Sequence, residues 1–87
     1  MRIVAVYHEY SDHAREVVEW IDQFERRSGR TVEQLDPDSP EGESFCVARE
    51  IMEYPTLAVT DDDGKPYGLW SGSPLPVIDE VMGYVAR

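Results

Sequence analysis

The chain has 87 residues, enough for one small domain with a modest core, and its 41% hydrophobic and 30% charged residues are those of a folded globular chain. Eight basic against eighteen acidic side chains give a net charge of −10, which argues against nucleic-acid backbones and anionic membrane surfaces as partners. The longest apolar run, Ile3 to Val6, is far too short to span a bilayer, and the opening residues carry no signal-peptide core, so a cytoplasmic location is expected.

Arg2 to Tyr7 is a short apolar run rich in β-branched residues, as expected of a strand buried on both faces. Ser11 then offers an N-cap, with Asp12 in the first turn of a helix whose apolar face is Ala14, Val17, Val18, Ile21 and Phe24. Arg26, Arg27 and Gly29 close that helix with basic residues and a terminal glycine. Arg30 to Asp36 is a second strand, and the turn residues from Pro37 to Ser44 lead into a second helix with Phe45, Ala48, Ile51 and Met52 on its apolar face. A strand from Thr56 to Thr60, a turn carrying Asp63-Gly64, and a strand from Pro66 to Ser71 form a hairpin. Ile78, Val81, Met82 and Val85 share one face of a last helix running toward Arg87, with Pro76 in its first turn.

The element order is therefore β-α-β-α-β-β-α. The first two strands, joined by a helix, are expected to be parallel with a right-handed crossover. The result is an α/β fold with a mixed four-stranded sheet flanked by three helices, as a single domain over residues 1–87. Pro55 stands at the entrance of the third strand, a position open to a residue that lacks a ladder donor.

With this order, the segment Ser44 to Gly72 resembles the second half of a thioredoxin-fold protein. Tyr54, Pro55 and Thr56 match the hydrophobic-proline-threonine motif, Asp63-Gly64 the hairpin turn and Gly72 the glycine that follows. The resemblance implies a thioredoxin-like fold in which Pro55 is the family's cis-proline. It also locates the chief departure. Where thioredoxins and glutaredoxins carry CxxC or one cysteine, this chain has Tyr7 to Val17, and Ser11-Asp12-His13-Ala14 is the nearest counterpart. Cys46 is the only cysteine, so no internal disulfide, redox pair or cysteine-based zinc site can be built from the chain.

Cys46 falls in the second helix beside Phe45 and reads as a small buried hydrophobe; the competing reading is a redox sensor. His8, Glu9, Asp12 and His13 have metal-ligating side chains, but their spacing matches no established motif and a solvated polar loop explains them; neither a metal nor a cofactor is expected. Asp61 to Asp63 reads as a solvated turn rather than a calcium loop. Trp20, Trp70, Tyr54 and Tyr67 are candidate surface aromatics, with Trp20 at the margin of its helix's apolar face.

The functional expectation is a redox-inactive binding or adaptor module. The resemblance places its groove beside Pro55, lined by Tyr10, Ser11, Asp12, His13, Tyr54, Pro55 and Thr56. The expected partner is a protein or extended peptide of basic character. The alternative is a glutathione-binding enzyme resembling the glutathione transferases, using Ser11 or Tyr7 as thiol activator and Ser71 or Ser73 as further contacts. Against it, the chain stops at Arg87 without the all-helical second domain of that family, and capping alone accounts for Ser11.

Overall fold

A computed structural model describes residues 1–85. Its elements are β1 (Arg2–Val6), α1 (Ala14–Ser28), β2 (Glu33–Leu35), α2 (Pro40–Ala48), β3 (Thr56–Thr60), β4 (Pro66–Ser71) and α3 (Ile78–Val85). The sheet runs β2-β1-β3-β4, with β1 and β2 parallel and both β1/β3 and β3/β4 antiparallel. This is the mixed sheet expected from the element order. Ala86 and Arg87, included in the expected last helix, lie outside the described residues.

The two central strands explain the packing. Successive strand side chains point to opposite faces, so an all-apolar strand feeds two cores at once. Ile3 and Ala5 of β1 and Tyr7 just after it, with Leu57 and Val59 of β3, pack against Val17, Ile21 and Phe24 of α1 and Ile78, Val81 and Val85 of α3. Val4, Val6 and Ala58 face the other way, onto Leu35 and onto Phe45, Cys46 and Ile51 around α2. Pairing of Ala5 with Leu57 and of Val4 with Ala58 keeps each set on its own side.

Several local expectations are corrected. Ser11 does not cap α1: the helix starts at Ala14, and His13 holds the cap position without a side-chain cap bond. The Ser11 hydroxyl instead donates to the His8 carbonyl at 2.6 Å, and the Ser11 carbonyl accepts the Ala14 N–H. Asp12 therefore precedes the helix, and Glu16 is the acidic residue of its first turn. Val18 is 50% exposed; the position beside the core belongs to Trp20, which stacks on Phe24 at 5.1 Å and donates its indole N–H to the Pro76 carbonyl at 2.8 Å. Pro76 thus lies ahead of α3 rather than in its first turn. β2 is shorter than expected, and Thr31 and Val32 stand before it.

The end of α2 also differs. Glu50 has φ 55°, and the Ile51 N–H bonds back to the Cys46 carbonyl while the Glu50 N–H bonds to Val47. This is a Schellman ending, with the left-handed residue just past the cap. It turns Ile51 into the core after the helix has stopped at Ala48 and leaves Met52 86% exposed, so Ala48 and Met52 are not core-facing. Arg49, at the cap, donates to the Phe45 and Gly64 carbonyls and lies 3.8 Å over the Phe45 ring, which ties α2 to the β3–β4 hairpin. In that hairpin the Asp61 carboxylate accepts the N–H groups of Asp63 and Lys65, and Gly64 supplies the positive φ of 88° that the turn needs.

Candidate functional site

Four segments meet at one end of the sheet: the end of β1 with His8, the turn Glu9 to His13, the β2–α2 loop with Asp36 and Asp38, and Glu53 to Pro55 at the entry to β3. His8 is the hub. Its ring is 5.1 Å from the Tyr54 ring at 82°, edge to face, and 6.3 Å from the His13 ring. Its Nε2 is 3.4 Å from an Asp38 carboxylate oxygen, its N–H approaches His13 Nε2, and its carbonyl accepts both the N–H and the hydroxyl of Ser11. The turn is therefore folded back onto the strand end by hydrogen bonds, with no helix cap involved.

The Tyr54–Pro55 segment is held from both sides. The Thr56 hydroxyl donates to the Glu53 carbonyl at 2.6 Å, and the Pro55 carbonyl accepts the Gly72 N–H at 2.7 Å, where Gly72 has φ 80°. The Tyr54–Pro55 bond is cis, as is Ser73–Pro74. Between these two anchors, Tyr54 makes no backbone–backbone hydrogen bond among the described residues. A main-chain amide in this position must be satisfied by water or by a ligand.

The seven residues expected to line the groove divide into two kinds. Ser11, His13 and Tyr54 come together around His8, and Pro55 and Thr56 are buried supports beneath them, the Thr56 hydroxyl being committed to Glu53. Tyr10, at 95% exposure, and the exposed Asp12 project to solvent. Of the four residues weighed as metal ligands, Asp12 stands away in solvent, Glu9 lines a neighbouring cleft, and the two histidines are adjacent. That cleft, about 260 Å³, is lined by Tyr7, Glu9, Gln34, Leu35 and Asp36.

His8 is not among the expected groove residues, Asp36 is expected only as the end of the second strand, and Asp38 only in the turn that follows it. The one signal for His8 was its place immediately after the strand. For the two aspartates the convergence is a tertiary contact across some thirty positions, which no local pattern announces.

The hydroxyls considered for thiol activation are both engaged. Tyr7 is in the core, donates to the Gln34 side chain at 2.6 Å, and has its phenol pKa pushed up by burial and by Glu9. Ser11 is bonded to His8. Cys46 is 5% exposed, and burial pushes its thiol pKa up against the opposing pull of the Tyr54 hydrogen bond and of Arg49. Since the thiolate is the reactive form, Cys46 should react with a thiol reagent far more slowly in the native protein than after unfolding in urea; equal rates would contradict its placement.

No protein-family model matches the sequence, and no curated protein is detectably similar to it. Solved structures are. Thioredoxin 1 of Thermosipho africanus superposes with a TM-score of 0.70 at 16% identity, covering 100% of this chain and 92% of that one. Thioredoxin O2 of Arabidopsis thaliana, in its oxidized state, gives 0.78 at 14% identity, covering 99% and 75%. A thioredoxin of Thermus thermophilus gives 0.62 at 16% identity, covering 97% and 70%. The chain therefore has the thioredoxin fold, and it has it with no CxxC. Among the described residues no helix is long and apolar enough to cross a membrane.

Proposed function

We propose that this chain is a redox-silent thioredoxin-fold binding module that captures an extended, basic segment of a protein partner at the Tyr54 groove. The carrying observation is the Tyr54 main chain, which lacks an internal backbone partner while both of its neighbours are anchored. An extended peptide laid beside it gains main-chain hydrogen bonds without requiring any ordering of the groove, and this mode of binding needs no thiol. His8, Ser11 and His13 form one wall. Tyr10 is free to close over the ligand, since its ring has little else to contact. Glu9, Asp12, Asp36, Asp38 and Glu53 surround this region in a chain of net charge −10, which favours lysine or arginine on the ligand and speeds encounter at low salt.

Fluorescence anisotropy with two labelled extended peptides of equal length, one basic and one acidic, tests this reading. Saturable binding of the basic peptide that weakens as salt is added supports it. Equal binding of both peptides, or of neither, contradicts it.

A further inference from the structure

We infer that His8, Asp36 and Asp38 form a binding site for a divalent transition-metal ion of zinc-like preference, at the mouth of the groove. One ligand atom from each of the three lies within 4.8 Å of the others. The residues come from separate segments, His8 from the end of β1 and the two aspartates from the β2–α2 loop, so the fold rather than the local sequence brings them together. Two donors each about 2.1 Å from a tetrahedral zinc ion stand about 3.4 Å apart, and 3.4 Å is the present separation of His8 Nε2 and the nearer Asp38 oxygen. Asp36 requires only a small side-chain movement to complete the set.

Charge supports the same assignment. Two carboxylates converge on one imidazole, and among the described residues no lysine or arginine pairs with either of them. A divalent cation neutralises both. The donor set also discriminates: imidazole nitrogen suits zinc, copper, iron and nickel better than calcium or magnesium, which take oxygen. The ligands are partly held in place, because the Asp38 N–H donates to the Asp36 carboxylate and the Tyr54 and His8 rings pack at 82° to each other. Ligands held by their surroundings bind metal more tightly than free ones. Three protein donors leave the remaining coordination positions open to water, and Asp38 is 81% exposed.

The test is a calorimetric titration of the chain, without a histidine tag and stripped with a chelator, using Zn²⁺ alone. In parallel, amide NMR maps the residues that respond. The expected result is one saturable event with shifts confined to residues 7–9 and 35–39, weakened at least about tenfold in both His8→Gln and Asp38→Asn. Asp62→Asn, remote in the hairpin turn, should bind as the parent does. Asp38 is highly exposed, so its variant reports even if His8→Gln fails to fold. Shifts spread over the acidic surface including Asp61 to Asp63, undiminished binding in Asp38→Asn, or competition by Ca²⁺ on equal terms would each overturn the site. None of these readouts involves peptide binding, so the two proposals fail independently.

Discussion

Replacing Gly42 by alanine should cost about 3 kcal/mol or more, although alanine is normally the better helix former. A Cβ at this position would stand 1.8 Å from the Asp36 carbonyl oxygen and 2.7 Å from its carbon. Backbone atoms cannot step aside as a side-chain tip can. The same carbonyl also accepts the Ser39 N–H and hydroxyl, and Ser39 Oγ in turn caps α2 through the Gly42 N–H, so the whole turn is locked at its closest approach. In a domain of this size 1 kcal/mol is about 4–8 °C in Tm, so thermal unfolding should fall by at least about 12 °C. Gly83→Ala is the matched control: nothing lies within 4 Å of its added carbon, and it should stabilise by about 0.5–1 kcal/mol. Equal effects in the two variants would contradict the close approach at Gly42. Since Asp36 carries that carbonyl, the Gly42 variant should also displace Asp36 and Asp38 from His8.

Phe24→Ala is expected to destabilise by about 3–5 kcal/mol, the usual cost of emptying a large aromatic site in a core that cannot collapse around it. Phe24 is fully buried on the α1–α3 side of the sheet. It also supports Trp20, which stacks parallel to it and reaches the Pro76 carbonyl ahead of α3. The loss therefore reaches the approach to α3 as well as the core, and Trp20 fluorescence should shift toward that of an exposed indole. Urea denaturation measures the first effect and emission spectra the second. A change below about 1 kcal/mol would mean that the core repacks freely.

Much of the architecture was legible because periodicity and punctuation agreed. The Ile3–Val6 run, the i, i+3, i+4, i+7 spacing after Ala14, the Asp63-Gly64 turn and Tyr54-Pro55-Thr56 all point to the same fold. The failures have specific causes. Ser11 was a good cap by residue type, but three more residues of turn separate β1 from α1, and its hydroxyl found the His8 carbonyl first. Ile51 and Met52 could not be told apart by spacing, because Glu50 ends α2 in a left-handed conformation usually signalled by glycine. At the site, the Tyr54 motif was visible, whereas the hub role of His8 and the arrival of Asp36 and Asp38 beside it depend on the parallel pairing of β1 with β2, which brings Val6 opposite Leu35.

The most direct test of the binding account is an amide NMR titration of the chain with a basic extended peptide. The account predicts that the largest shifts fall on Tyr54 and on His8 to His13, with the Tyr54 N–H moving as a new hydrogen bond forms. The contradicting result is a peptide that binds with its largest shifts along the outer edge of β4, from Tyr67 to Trp70, and leaves Tyr54 unmoved.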